Sequence, residues 1–143
     1  MLIECEWRET PTTVRRPYLR AHLEAQDGTW VECIFLVDTG ADRTVLSADV
    51  GRQLGRPTSP SPRQLGGIGG AVETNEVLTR LRLSSVDGSR LNVEGSYGVF
   101  VDQSVGESIL GYDILHQFVL IVDRPGGTVL LISPPHRYNV LRS

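Results

Sequence analysis

The sequence has little of what marks several large classes of protein. Its 143 residues include only two cysteines, Cys5 and Cys33, which are too few for a disulfide framework and lack the spacing of metal ligands. The formal net charge of −3 argues against a nucleic-acid binder, which usually carries a basic face. The longest apolar runs, such as 118–122, are too short to span a bilayer. We therefore expect no nucleic-acid partner, no membrane span and no metal.

The start of the chain also lacks a targeting pattern. The segment MLIECEWRE has no basic stretch followed by an apolar one, so we expect no signal peptide. Apolar residues make up 40% of the chain and charged residues 22%, as in ordinary globular domains. With two thiols expected to be reduced, these features predict a single-domain cytoplasmic protein.

Apolar residues that alternate with polar ones predict a mostly-β fold with one or two short helices. One strand runs from Tyr18, and the returning strand 31–37 is apolar enough to be buried on both faces. Ser47 can cap a short helix over Ala48–Leu54, which Gly55 would end. Further strands are predicted over 77–83, 91–102 and 108–110, then a helical turn within 112–117 and a hairpin of 118–122 with 128–132. Residues 1–15 read as an arm or a short edge strand, 57–63 as an extended connector, and 134–143 as a tail.

The run FLVDTGADRTVL sets a carboxylate, Asp38, at the end of an apolar strand, where burial is costly. An aspartate that merely ends a strand is the plain interpretation. In the functional one, the strand delivers Asp38 to a dry cleft, Thr39 fixes the loop by hydrogen bonds, and Gly40 allows a close backbone approach.

A single carboxylate cannot serve as both acid and base, whereas two carboxylates about 3 Å apart share one proton. Asp102 and Asp123 also follow apolar strands but lack the Thr-Gly turn, so they read as strand-end residues. If a catalytic pair exists, its second member must be Asp38 of a second chain.

The glycine-rich stretch 65–72, LGGIGGAV, has three interpretations: a flexible turn, a phosphate cradle, or a hairpin tip that lies over a peptide backbone. The phosphate cradle is weak, because GxGxxG is not matched and no βα unit follows. Ser108 does not fit a hydrolase nucleophile, since Leu110 stands where that motif needs glycine.

Three motifs in order, VDTGADRTVL, QLGGIGGAV and SILGYDIL, resemble those of the retropepsins, the single-lobe aspartic proteases of retroviruses and their cellular and bacterial relatives. The resemblance implies a closed acid-protease β fold over 16–133, between an arm (1–15) and a tail (134–143). It also implies an aspartic endopeptidase that works as a homodimer on extended peptides, with water as nucleophile and without a cofactor. The implied catalytic residues are Asp38, Thr39 and Gly40. The implied substrate-binding residues are Ala41, Asp42, Gly66, Gly67 and Ile68, the last three in the flap.

The sequence departs from the retroviral pattern at Tyr112. Retroviral members usually have arginine there, paired with the acidic residue at the position of Asp42. Arg16 of a neighbouring subunit is a candidate substitute. Beyond the endopeptidase, the sequence leaves open a retropepsin-like binding or dimerisation module with little turnover.

Overall fold

A computed structural model describes residues 1–62, 65–67, 70–135 and 141 of the chain. In those ranges the fold is mostly β, as predicted, with thirteen strands and two short helices. The strands of the first half are β1 (Leu2–Glu4), β2 (Glu6–Glu9), β3 (Arg15–Glu24), β4 (Trp30–Val37), β5 (Val45–Leu46), β6 (Thr58–Pro60), β7 (Leu65–Gly67) and β8 (Gly70–Val72). The remaining elements are α1 (Ala48–Leu54), β9 (Thr74–Ser84), β10 (Arg90–Phe100), β11 (Ser108–Leu110), α2 (Tyr112–Leu115), β12 (Val119–Asp123) and β13 (Thr128–Ile132).

Eight strands form the main sheet, in the order β2-β3-β4-β11-β5-β10-β9-β6. A second pairing of β3 with β9, at His22 with Arg82 and Leu23 with Leu81, closes the sheet into a barrel. The alternation predicted for these strands is confirmed, because the inward side chains are almost fully buried. They include Leu19, Ala21, Leu23, Val77, Leu81 and Leu83.

The first strand and the last two strands of the chain form a separate three-stranded sheet of order β1-β13-β12. The predicted C-terminal hairpin is therefore confirmed. The first residues form strands, of which β2 is an edge strand of the main sheet, and Ile3 packs into the core. The proposed domain boundaries at residues 16 and 134 stay predictions.

The helix over Ala48–Leu54 forms as the sequence predicts. The Ser47 hydroxyl accepts a hydrogen bond from the Val50 N–H, and Gly55 ends the helix in the left-handed conformation with φ 61°. Two details differ from the sequence prediction. The helix α2 stops at Leu115, two residues early, and part of the proline-rich connector pairs with β9 as strand β6. In the described ranges, neither helix has the length and apolar character needed to cross a membrane.

Candidate active site

The strand β4 ends by delivering Asp38 to the rim of the barrel. Its last residues, Phe35, Leu36 and Val37, are buried, whereas Asp38 is half-buried. The neighbouring strand β11 runs parallel to β4, with Leu110 opposite Val37, and the Asp38 N–H donates to the Leu110 carbonyl at 3.1 Å. The backbone at Asp38 is thus held in the sheet ladder while its carboxyl group reaches the surface.

The turn after β4 orients the Asp38 carboxyl group. The Gly40 N–H donates to Asp38 Oδ1 at 2.9 Å, and the Ala41 N–H donates to the Asp38 carbonyl at 3.3 Å. A Cβ at Gly40 would lie 3.2 Å from Asp38 Oδ1, a tight contact. Glycine at position 40 therefore leaves room for the carboxyl group on the exposed side of the turn.

Below this turn, Thr44 joins the loop to the segment after β11. Thr44 is 1% exposed; its hydroxyl donates to Asp113 Oδ1 at 2.7 Å and accepts from the Gly111 N–H at 3.0 Å. The Tyr112 N–H donates to the Ala41 carbonyl at 2.7 Å, which adds a main-chain bond on the other side of the loop. Hydrogen bonds from one short segment thus fix both halves of the loop.

Glycine at position 111 is required by this close approach. A Cβ there would lie 2.4 Å from both the carbonyl carbon and the oxygen of Arg43, which is within the main chain of the loop. No side chain can be accommodated at that distance without moving the backbone. The loop and the segment 109–111 therefore pack main chain against main chain.

Two residues of the loop have side chains turned to solvent. Thr39 is exposed, and in the described ranges its hydroxyl makes no hydrogen bond. Asp42 is also exposed, and no ion pair to its carboxylate forms within the part of the chain that the structure describes. Tyr112 does not compensate, since its ring packs beside that of His116 with centroids 5.9 Å apart. The suggested pairing of Asp42 with Arg16 of a second subunit stays a prediction.

Sequence reasoning missed Arg43, the residue after Asp42. Its guanidinium forms an ion pair with Glu76 at 2.8 Å and donates to the Ser96 carbonyl at 3.2 Å. The hydrogen bond to Glu76 is the main cause that holds the pKa of that carboxyl below its ordinary value. Nothing local in the sequence could have indicated a contact between residues 33 positions apart.

The glycine hairpin, formed by β7 and β8, is a two-stranded sheet of its own. Gly66 pairs with Ala71 and Gly67 with Gly70, while Ile68 lies outside the described residues together with Gly69. Gly70 has φ 106°, a conformation that side chains other than glycine rarely adopt. The stretch is therefore a β-hairpin; its predicted contacts with substrate through Gly66, Gly67 and Ile68 stay predictions.

The other candidates have structural roles. The Asp102 carboxylate accepts from the Ser104 N–H, and that of Asp123 accepts from the Gly126 N–H, so each closes a turn. Buried Ser108 accepts a hydrogen bond from the Ser47 N–H at 2.9 Å through its hydroxyl oxygen. Burial raises the pKa of the Cys5 and Cys33 thiols to about 12 in each case, which keeps both thiols protonated and unreactive at neutral pH.

The barrel and the braced Asp-Thr-Gly turn define an aspartic-type peptidase, and comparison with known proteins agrees. A family model described as aspartyl protease matches residues 26–114, more than half of the chain. The chain therefore belongs to the aspartyl protease family. No curated protein matches it.

Two solved structures have a similar, retropepsin-like fold. The protease of EIAV, determined in complex with the inhibitor HBY-793, is 26% identical, with a TM-score of 0.53 over 75% of this chain and 91% of that chain. A retropepsin-like aspartic protease from Rickettsia conorii covers 92% of this chain and 88% of its own, with a TM-score of 0.59. Its identity of 18% supports the fold alone.

Proposed function

We propose that the protein is an aspartic endopeptidase that is active as a homodimer, with Asp38 of each chain facing the other across a two-fold axis. The observation that carries the proposal is the braced turn in which the Gly40 N–H orients a half-buried Asp38 carboxyl group. Each chain supplies one such turn. Acid–base hydrolysis of a peptide bond needs two carboxyl groups in different protonation states, so two chains must contribute.

In the proposed reaction the two Asp38 groups share one proton, because two adjacent carboxylates cannot both ionise. The ionised Asp38 takes a proton from a water molecule, and the water oxygen forms a bond to the peptide carbonyl carbon. The protonated Asp38 donates its proton to the carbonyl oxygen. When the tetrahedral species collapses, the C–N bond breaks, the leaving nitrogen takes the proton held by the dyad, and one hydroxyl of the tetrahedral carbon returns its proton to the other Asp38, which restores the singly protonated dyad.

The substrate that suits this site is an extended peptide. The glycine hairpin, acting as a flap, offers main-chain groups with little side-chain bulk, and Ala41 and Asp42 lie on the opposite loop. Peptide main chain can pair with exposed backbone in the manner of an added strand. The side chain of Ile68 would then contact apolar groups of the substrate.

A feature of the terminal sheet supports the proposed homodimer. Strand β12 pairs only with β13, which leaves its outer edge free in the described residues. This edge is apolar, with Val122 51% exposed, and free apolar edges readily pair with another strand. We assign this edge to the second copy, because the Asp38 site is incomplete in one chain. The exposed Thr39 hydroxyl would then bond across the two-fold axis.

The test is to mix wild-type protein with the Asp38→Asn variant and allow subunits to exchange. If both chains contribute to one site, an equal mixture retains about a quarter of the activity of the same total amount of wild type, since mixed dimers have one carboxylate. A retained half would mean that each chain acts alone. Activity is measured as the cleavage of an unstructured protein that a transition-state peptide inhibitor blocks. If no cleavage occurs under any condition, the result favours a binding module instead.

A further inference from the structure

One ion pair joins the loop that carries Asp38 to the base of the glycine hairpin. Arg43 lies five residues after Asp38, and Glu76 lies in β9, four residues after the end of β8. Arg43 Nη1 and Glu76 Oε1 are 2.8 Å apart. Among the residues that the structure describes, this is the only ion pair between the loop and the segments that support the hairpin.

The Glu76 carboxylate also contacts both chain segments that lead to the hairpin. The Ser61 hydroxyl, on the segment entering it, lies 3.2 Å from Glu76 Oε1. The Ser96 hydroxyl, in β10, lies 3.3 Å from Glu76 Oε2, and the Ser96 carbonyl accepts from Arg43. Since Glu76 itself is on the segment leaving the hairpin, one carboxylate joins the entering segment, the leaving segment, the barrel wall and the Asp38 loop.

This pair is better shielded from solvent than the equally short pair of Arg20 and Glu32. The side chains of Arg43 and Glu76 are 19% and 24% exposed, whereas those of Arg20 and Glu32, also 2.8 Å apart, are 52% and 48% exposed. Exposed pairs contribute little because water and salt screen them. The Arg43–Glu76 pair is shielded on several sides and is therefore suited to hold two segments in one relative position.

We propose that Arg43 and Glu76 are positioning residues that set the resting position of the glycine hairpin relative to the Asp38 loop. The proposal deepens the proposed function, on which it rests for its meaning in catalysis. Neither side chain needs to touch the reacting atoms. Their effect is on where the described strands of the hairpin lie relative to the Asp38 loop, and so on substrate affinity more than on the chemical step.

The first measurement needs no turnover, so it remains decisive if hydrolysis is absent. Amide hydrogen exchange of peptides covering 58–77 is compared in wild type, Arg43→Ala, Glu76→Ala and the double variant. We expect each single variant to speed exchange in this region by about threefold to tenfold, with β3 and β4 unchanged. Because the two groups act as one unit, the double variant should exchange no faster than the faster single variant.

The second measurement separates affinity from chemistry. In Glu76→Ala we expect KM to rise about threefold to tenfold with kcat within about twofold of wild type. Glu32→Ala is the matched control, because it removes an arginine-paired carboxylate of β4 at a distance from the hairpin, and it should leave both constants unchanged.

Two results would overturn the proposal. The first is exchange in 58–77 that matches wild type in both single variants or that adds independently in the double variant. The second is a fall in kcat of Glu76→Ala with unchanged KM. If the variants show the exchange effects but the wild type shows no hydrolysis, the proposed function is refuted and the positioning role stands.

Discussion

The Asp38 loop and the glycine hairpin, which we propose to contact the same substrate, are built in opposite ways. The loop is fixed by main-chain bonds to β11 and α2 and by a buried Thr44, and its packing tolerates no side chain at position 111. The described strands of the hairpin pair only with each other, and a Cβ at Gly66 would meet no atom within 4 Å. A carboxyl group that takes up and releases protons must keep its geometry, whereas a flap, the role we propose for the hairpin, must admit and release a peptide.

The largest effect should come from Asp38, the group of the loop to which we assign the chemistry. Asp38→Asn keeps an oxygen that can accept from the Gly40 N–H but cannot exchange a proton, so kcat/KM should fall by about 10³-fold or more. Thermal unfolding should match wild type. Asp102→Asn, which changes a carboxylate in a distant turn, serves as the control. Activity of the Asp38 variant within tenfold of wild type would exclude Asp38 as the catalytic group.

The comparison is sharpest when the same change is made in both regions. Gly111→Ala sets a Cβ against the main chain of Arg43, so the free energy of unfolding should fall by about 2–4 kcal/mol. Gly66→Ala meets open space in the free chain and should change stability by less than about 0.5 kcal/mol. Denaturant unfolding measures both, and equal losses would contradict the contrast between a packed loop and an open hairpin.

A smaller loss is expected where the loop is joined to α2. Thr44→Val removes the hydroxyl that donates to Asp113 and accepts from Gly111, and leaves the Gly111 N–H without a partner in a buried position. The expected cost is about 2 kcal/mol in unfolding free energy. Thr44→Ser keeps the hydroxyl and should lose less. If valine costs little and serine costs about 2 kcal/mol, packing of the methyl group, which valine keeps, and not the hydrogen bonds stabilises the loop.

The smallest effect concerns pH at the base of the hairpin. The hydrogen bond from Arg43 lowers the pKa of Glu76 below its ordinary value, so the ionised carboxylate stabilises the folded protein above the unfolded pKa of about 4.3. That contribution is lost as pH falls through the folded pKa. The stability difference between wild type and Glu76→Gln should therefore shrink on acidification. A difference independent of pH between 3 and 7, a range of about four units around that pKa, would show that the charge of Glu76 is not involved.

Patterns within short windows predicted much of the fold. The cap at Ser47 and the end at Gly55 bounded α1, and alternation in β3 and β9 marked the buried faces. The strand in the proline-rich connector was missed, because pairing of β6 with β9 depends on a neighbour and not on its own residues. A hairpin was one of three interpretations of the glycine-rich stretch, and its relation to substrate stays a prediction.

The sequence by itself determined the class of site, since an apolar strand ending in Asp38-Thr39-Gly40, followed by a glycine hairpin and the segment 109–111, is specific in its order. Only the tertiary structure decided which groups support that site. Thr44 meets Asp113 across 69 positions, and Arg43 meets Glu76 across 33. Such partners are chosen by strand order and by the close approach of two backbones, which depend on the folding of the whole barrel. Local residue patterns report burial and turns, whereas hydrogen-bond partners far apart in the chain become neighbours only when the sheet closes.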